Sequence, residues 1–311
     1  MGDSAIHAAA GAAGGIVAMS ATYPLIFLST RAAVETKNEP KTTYQAVLDI
    51  IKREGVLGLY SGLSSSLLGI AVTNGVYYYF YERSREIILR SKSGGKALST
   101  LESILTGMIA GSATTLISNP IWVVQTSQAV RTLGSDQSQP TSVKKLGFLA
   151  TVQSILAKDG IGAFWRGIGP ALVLVINPVL QYTVFEQLKN FLIARRTNKL
   201  RAAGGAAATI AILSDWDFFF LGALSKLVAT SATYPYIVVK SRLQAGSANA
   251  LKYKSSLDGL LTILKEEGIG GLYRGIESKI VQSVLTAAIL FAGQRRIFEI
   301  TKKAISPLAK V

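Results

Sequence analysis

Six long stretches of mostly apolar residues alternate along the chain with shorter amphipathic and polar segments. The stretches cover residues 5–30, 63–88, 101–126, 168–193, 216–240 and 276–298. A helix needs about 20 predominantly apolar residues to cross the hydrocarbon core of a bilayer, so the pattern predicts six transmembrane helices. Several stretches contain interior polar residues and prolines, which favours helices that line a water-filled cavity over helices surrounded by lipid.

A short glycine motif recurs three times at nearly equal spacing, which indicates internal repeats. Each copy begins with an acidic residue and ends with a glycine: Glu54 and Gly62, Asp159 and Gly167, Glu267 and Gly275. An amphipathic stretch precedes the motif, as at 44–53 and 255–266. Each repeat is therefore predicted to contain a transmembrane helix, a surface helix and a second transmembrane helix. We place the repeats at 1–96, 97–200 and 201–311, with an Ala/Gly-rich linker at 201–212.

Three prolines, Pro24, Pro120 and Pro235, lie at equivalent places in the first predicted helix of each repeat. Proline removes a helical hydrogen bond and kinks the helix. Three kinked helices around a pseudo-threefold axis would converge and close one end of a cavity. Repeat-built transporters bind their substrate near the bilayer midplane. The pattern thus predicts one all-α membrane domain, with six transmembrane helices in three pseudo-threefold repeats.

The composition agrees with a membrane protein and excludes several other classes. The chain is 49% hydrophobic and only 16% charged, yet its net charge is +15. Few charges of mostly one sign are typical of a membrane protein and not of a nucleic-acid-binding domain. The chain has no cysteine and one histidine, His7, so we expect no disulfide, no metal site and no histidine-based active site. Because it also lacks a Walker A motif, we expect a transporter without a cofactor, neither an enzyme nor an ATPase pump.

The glycine motifs and the proline-terminated runs resemble those of the mitochondrial carrier family over nearly the whole chain. That family has an acidic residue two positions after each proline, and this chain has Ile26, Trp122 and Ile237 there. The resemblance implies a gate that the family closes with salt bridges between repeats. Lys240 is the cation that remains at the partner positions. We therefore expect this gate to close by apolar packing and hydrogen bonds.

The resemblance implies a second gate on the even-numbered helices, facing the cytosol. The family pattern there pairs an acid with a base three residues later. Repeat 2 keeps it as Glu186 and Lys189, and repeat 1 has Glu82 and Arg85 one residue late. In repeat 3 the pattern comes about one turn late, at 298–302. Basic residues that follow the even-numbered helices agree with a cytosolic side.

Four local segments, 73–77, 174–182, 222–226 and 275–288, look like those of the peroxisomal adenine-nucleotide carriers within this family. The resemblance implies an integral protein of the peroxisomal membrane, with the mitochondrial inner membrane as the alternative. It would exchange ATP for AMP or ADP and so support fatty acid activation and β-oxidation. Its partners would be the nucleotide and membrane lipids, without nucleic acid, and it would function as a monomer.

Two alternatives remain open at this point. Carriers of coenzyme A, FAD or NAD have a segment similar to that from Asn177 to Gln181, so a bulkier adenine cofactor is the second candidate substrate. A non-transporting scaffold or a membrane enzyme is the third candidate. It is less favoured because interior acids, which a hydrolase needs, are nearly absent from the predicted spans.

The family places a substrate contact point seven residues after each closing glycine. These positions are Gly69, Leu174 and Gln282, and none is charged. The nucleotide phosphates must therefore find cations elsewhere. The candidates are Lys226, Lys279, Arg31 and Lys240. Lys279 lies three residues before Gln282 and so on the same helix face.

Amide side chains are the candidates for recognising the base. Asn74, Asn177 and Gln181 each offer a donor and an acceptor, which suits an adenine edge. A hydrogen bond between helices is the alternative for Asn177. Tyr77 is the candidate for stacking on the base, with an interfacial aromatic belt as its alternative. We expect Arg242 at the rim of the gate or against lipid head groups.

Overall fold

The computed structural model of the protein describes residues 3–35, 43–91, 97–130, 146–202, 211–246, 253, 255–286 and 289. Its long helices are α1 (Asp3–Val34), α3 (Leu63–Arg90), α4 (Thr100–Val130), α7 (Asn177–Ala202) and α8 (Asp215–Ala245). Its shorter helices are α2 (Thr43–Glu54), α5 (Phe148–Asp159), α6 (Ile168–Val173) and α9 (Ser256–Leu272). A further helix, α10, covers residues 276–286, and 3-10 turns lie at Val56–Tyr60, Ile161–Trp165 and Leu174–Ile176.

Four segments among the described residues are long and apolar enough to cross a membrane. They are Gly15–Val34, Val56–Arg90, Thr100–Val130 and Ile161–Ala202. The predicted span at 216–240 lies in α8, which is long enough but contains several charged residues. Of the predicted span at 276–298, the structure describes α10 and residue 289, and the rest lies outside the described residues. The gate pattern at 298–302 also lies outside them.

The chain sequence explains where prolines lie inside helices and where one helix is interrupted. Pro24, Pro120 and Pro235 lie inside α1, α4 and α8, as the sequence predicts. The second helix of repeat 2 is interrupted instead. A 3-10 turn at Leu174–Ile176 separates α6 from α7, and α7 restarts at Asn177. Pro178 follows at once, and proline is favoured in the first turn of a helix because it has no N–H to satisfy.

The first and the closing glycine of each motif adopt backbone conformations that other residues rarely adopt. The first glycines, Gly55, Gly160 and Gly268, have φ angles of 73°, 74° and 68°. The closing glycines, Gly62, Gly167 and Gly275, have φ angles of 88°, 73° and 83°. A positive φ is accessible to glycine at no steric cost. Six glycines in three repeats therefore form the same pair of turns between surface helix and membrane helix.

The chain forms two compact units. One contains Met1–Thr22, Asn177–Ala232 and Lys279–Val311, and the other contains Tyr23–Ile176 and Thr233–Ser278. We call the first the substrate unit, because it holds Lys226, Lys279 and Gln282. We call the second the proline unit, because it holds Pro24, Pro120 and Pro235.

Candidate functional site

In the proline unit, the residue before each proline is hydrogen-bonded to the glycine motif of its own repeat. The acceptor in each case is the carbonyl oxygen of the residue that precedes the closing glycine. The three bonds run from Tyr23 Oη to Ser61 (2.9 Å), from Asn119 Nδ2 to Arg166 (3.1 Å) and from Tyr234 Oη to Arg274 (3.1 Å). The three repeats thus share one internal clamp, which fixes each proline-containing helix to the next helix of its repeat.

The closing glycines also make close contacts between repeats, in cyclic order. If each of these glycines carried a methyl group, that group would lie close to a backbone carbonyl oxygen of the next repeat. In each case the carbonyl belongs to the residue five positions after the proline. The distances are 3.3 Å from Gly62 to Gln125, 3.0 Å from Gly167 to Lys240 and 2.8 Å from Gly275 to Ser29. Only glycine permits an approach this close. The proline unit is therefore a ring in which each repeat packs on the next.

A layer of neutral polar side chains joins the three repeats within this ring. We call Tyr23, Asn119, Gln125, Thr126 and Gln244 the polar layer. Gln125 donates to Tyr23 Oη (3.5 Å) and Thr126 donates to Gln244 Oε1 (3.3 Å). Gln244 Nε2 donates to Asn119 Oδ1 at 3.1 Å. All five side chains are buried. Hydrogen bonds between neutral side chains therefore link the three repeats in this layer.

Apolar or aromatic residues occupy the three positions at which the family resemblance implies acids. Ile237 packs against a buried cluster that includes Val238 and Ile263. The indole N–H of Trp122 donates to Thr73 Oγ1 at 3.2 Å, and its ring lies against Gly69, where an added methyl group would be 3.3 Å away. The predicted contact point Gly69 is thus covered by Trp122, a contact that hydropathy patterns do not reveal. Ile26 is half-buried in α1.

The acids of the glycine motif form ion pairs inside the proline unit. Arg31 Nη1 lies 2.8 Å from Glu54 Oε1. Asp159 pairs with the motif's own Arg166 at 3.0 Å. Arg31 is thereby committed to a carboxylate on the neighbouring helix. A phosphate that bound Arg31 would have to compete with this carboxylate.

Arg242 does not lie at a rim or against lipid head groups, and the expectation to that effect is wrong. Its side chain is 1% exposed, and both of its terminal nitrogens are paired with the Glu267 carboxylate, which also lies 3.7 Å from Arg274. Its Nε donates to the carbonyl of Ala33 at 2.9 Å. The guanidinium can be buried because each of its three nitrogens has a partner in the fold, a condition that allows a charge to leave water.

Lys240, the remaining gate cation, is half-buried in α8. It lies four residues before Gln244 and so on the same helix face as the polar layer. Its carbonyl oxygen receives the close approach of Gly167.

The predicted base-recognition residues of the proline unit lie on α3. Asn74 is exposed and Tyr77 is half-buried, with its ring stacked on Tyr81 at 5.9 Å and its hydroxyl close to Gly107.

In the substrate unit, the structure brings two of the predicted residues together. Lys226 Nζ donates to Asn177 Oδ1 at 3.3 Å, and Asn177 Nδ2 donates to the carbonyl of Ala229 at 3.2 Å. Lys226 and Asn177 are both half-buried. Asn177 thus makes the contact between helices that was its alternative role. Gln181, one turn further along α7, is also half-buried.

Helix α10 contributes a second group of polar residues to the substrate unit. Gln282 Nε2 donates to Thr286 Oγ1 at 3.0 Å, and Thr286 also bonds Thr22 at 3.1 Å. Lys279 is half-buried one turn before Gln282, and its carbonyl accepts a bond from Ser283. The contact point of repeat 2, Leu174, belongs to the proline unit and is half-buried in the 3-10 turn that precedes α7.

The residues predicted for the second gate pair within their own helices. Glu186 and Lys189 are 2.6 Å apart in α7, and Glu82 and Arg85 are 3.5 Å apart in α3. A bidentate ion pair between α7 and α8 was not predicted. Both terminal nitrogens of Arg196 donate to the Asp217 carboxylate at 2.6 Å. Its signal in the sequence is the capping box from Ser214 to Asp217, which marks the start of α8.

Comparison with known proteins identifies the group to which these features belong. The sequence model of the mitochondrial carrier protein family matches residues 3–92, 96–196 and 213–306. The chain is 36% identical to the peroxisomal nicotinamide adenine dinucleotide carrier of Arabidopsis thaliana, over 98% of both chains. It is 33% identical to the peroxisomal membrane protein PMP34 of Mus musculus, over 93% of this chain and 91% of the relative. It is 29% identical to the peroxisomal adenine nucleotide transporter 1 of Saccharomyces cerevisiae, over 95% and 92%.

These matches confirm several predictions made from the sequence. The family resemblance and the all-α membrane fold are confirmed by the three matched segments. The predicted location in the peroxisomal membrane is confirmed by the relatives. The chain is a transporter and not an enzyme, as predicted. With its three clamped repeats and its matches over nearly the full length, the chain belongs to the mitochondrial carrier protein family.

Proposed function

We propose that this carrier exchanges adenine nucleotides across the peroxisomal membrane, taking up ATP in return for AMP or ADP. The exchange would supply the ATP that activates fatty acids for β-oxidation. The carrier works as a monomer by alternating access, in which nucleotide binding offsets the cost of opening one gate and closing the other.

The observation that carries the proposal is the environment of Lys226. Its half-buried ammonium group lies in a helix long enough to cross the membrane, and its hydrogen-bond partner is the neutral amide of Asn177. A charge at membrane depth is costly without a counter-charge. Among the described residues no carboxylate pairs with Lys226, which supports a nucleotide phosphate as its counter-charge. Lysine binds phosphate as a point charge.

The other proposed ligands follow from their positions. Lys279 and Gln282 share one face of α10 in the substrate unit, and Gln181 follows Asn177 by one turn of α7. We propose Lys279 as a second phosphate ligand, and Gln181 and Gln282 as amides for the base or ribose. Lys240, Asn74 and Tyr77 belong to the proline unit. We propose that they contact the nucleotide at another stage of the transport cycle.

A second candidate substrate is NAD. It is favoured by the relative in Arabidopsis thaliana, a peroxisomal nicotinamide adenine dinucleotide carrier that is 36% identical over 98% of this chain. NAD shares adenine, ribose and phosphates with ATP, so the same cations serve both. The two candidates differ in the number of phosphates and in the size of the molecule.

Exchange in liposomes separates these candidates. The purified carrier is reconstituted into vesicles that are loaded with AMP, ADP, NAD, coenzyme A or buffer alone, and uptake of labelled ATP and labelled NAD is measured. We expect rapid ATP uptake into vesicles that contain AMP or ADP and little uptake into vesicles with buffer. Uptake of NAD alone would replace ATP with the second candidate. If no nucleotide is exchanged, the proposed function is wrong.

A pair of variants tests the site. We expect Lys226→Gln to lower ATP exchange at least tenfold, because the proposed phosphate ligand loses its charge. The matched control is Lys158→Gln, which removes an exposed lysine at the end of α5 and is expected to leave exchange unchanged. Full exchange by Lys226→Gln in folded protein would contradict the assignment of Lys226.

A further inference from the structure

Both ends of the Asn177 amide are already engaged inside the substrate unit. Its nitrogen donates to the Ala229 carbonyl at 3.2 Å, and its oxygen accepts from Lys226 Nζ at 3.3 Å. The orientation of the amide is unambiguous, because a carbonyl oxygen only accepts and an ammonium group only donates. Asn177 therefore bridges α8 at two points within one helical turn, at Lys226 and at the fully buried Ala229.

The interruption in repeat 2 places Asn177 at this contact. The 3-10 turn at Leu174–Ile176 ends where α7 begins, and Asn177 is the first residue of α7. Its side chain is short and has two rotatable bonds, and its nitrogen is fixed to the backbone of α8. Lys226, in contrast, has a long flexible stem that must lose much rotational freedom to hold its ammonium group in one place. The bridge supplies that restraint.

We infer that Asn177 is a positioning residue, which holds the Lys226 ammonium group for the nucleotide phosphate and does not read the adenine edge. The inference rests on the proposed function and adds to it. An ammonium group has three donors, so two remain for phosphate oxygens after one is given to Asn177. A neutral amide orients the group without cancelling its charge, whereas a carboxylate at this position would compete with the phosphate.

This role predicts that Asn177 acts on every substrate in the same way. Phosphate is common to ATP, ITP and NAD, so loss of the bridge weakens binding of each by the same factor. A residue that recognises the 6-amino group of adenine would instead discriminate between ATP and ITP, which carries an oxygen at that position. The ratio of the KM values for ATP and ITP therefore distinguishes positioning from base recognition.

The experiment is a double-mutant cycle in liposomes with the full-length carrier, using Asn177→Ala, Lys226→Gln and the double variant. Loss of one hydrogen bond to a charged group corresponds to roughly a tenfold change in affinity. We expect Asn177→Ala to raise the KM for ATP and for ITP about tenfold. In the Lys226→Gln background, we expect Asn177→Ala to change the KM less than about twofold. The matched control, Asn198→Ala, removes an exposed asparagine of α7 and is expected to have no effect.

A second variant keeps the inference testable if Asn177→Ala does not fold. Asn177→Asp keeps the size of the side chain and the oxygen that faces Lys226, but adds a negative charge. We expect it to raise KM by more than Asn177→Ala does, since the carboxylate competes with phosphate. The inference would be overturned by a normal KM for this variant, by additive effects in the cycle, or by a changed ratio of the KM values for ATP and ITP. Those outcomes leave the proposed function intact, whereas absence of nucleotide exchange by the unaltered carrier refutes the proposed function.

Discussion

The close approach of Gly275 to the first repeat allows a quantitative test of the ring in the proline unit. Replacing Gly275 with alanine has two costs. Its φ of 83° disfavours any side chain, and the new methyl group would lie 2.8 Å from the Ser29 carbonyl oxygen and 3.0 Å from the Ala32 Cβ. The conformational cost is about 1 to 2 kcal/mol, and overpacking against backbone costs about 1 to 3 kcal/mol more.

Two other glycines separate these costs. Gly268 has a φ of 68° but nothing within 4 Å of an added methyl group, so Gly268→Ala bears the conformational cost alone. Gly222 lies inside α8 with open space around it, so Gly222→Ala bears neither cost and gains helix propensity. The expected order of stability is Gly222→Ala above Gly268→Ala above Gly275→Ala.

The assay is thermal unfolding of the detergent-solubilised carrier, followed by the intrinsic fluorescence of Trp122, Trp165 and Trp216. The chain has no cysteine, so thiol-reactive dyes are unsuitable. At roughly 2 °C per kcal/mol for a chain of this size, Gly275→Ala should lower the apparent Tm by about 4 to 10 °C. Gly268→Ala should lower it by about 2 to 4 °C. Equal shifts for these two variants would refute the argument that Gly275 is required for close packing between repeats.

Two further predictions concern polar groups of the proline unit. Glu267→Gln should destabilise the carrier by about 3 to 5 kcal/mol in chemical unfolding, because it breaks a buried pair with Arg242. Glu86 pairs with exposed arginines, so Glu86→Gln should lower the free energy of unfolding by less than about 1 kcal/mol. Similar losses of stability in the two variants would contradict the argument that burial makes the Glu267 pair important. Gln244→Leu should leave buried groups of the polar layer without partners and raise nucleotide leak from vesicles that lack external substrate. Gln187→Leu, on the exposed face of α7, is its control, and an unchanged leak in Gln244→Leu would show that the layer does not seal the unit.

The glycine motifs show why repeats are so informative in this sequence. A glycine is required where φ is positive and where two backbones meet, and both conditions hold at Gly62, Gly167 and Gly275. These requirements are local, so they leave a pattern that is visible without the structure. The same is true of the prolines inside α1, α4 and α8, and of the apolar residues at 26, 122 and 237 that exclude a ring of salt bridges.

The partners of individual charges are less accessible to sequence reasoning. Sequence reasoning places Arg242 at a rim, yet it is buried because Glu267 and the carbonyl of Ala33 provide a partner for each of its three side-chain nitrogens. Arg31 is a predicted phosphate ligand, but in the fold its guanidinium forms an ion pair with the Glu54 carboxylate. In each case the free energy of the charge depends on groups brought near by the fold, and not on its neighbours in the chain.

The sequence by itself predicted six spans, and it determined the three repeats, the turns at the glycines and the apolar residues two positions after each proline. Each of these depends on periodicity, on backbone conformation or on side-chain type at one position. The tertiary structure decided that Trp122 covers Gly69, that five neutral side chains form the polar layer, and that Asn177 holds Lys226. Hydrogen bonds and burial are set by distances between helices that are far apart in sequence, and only the packed structure specifies those distances.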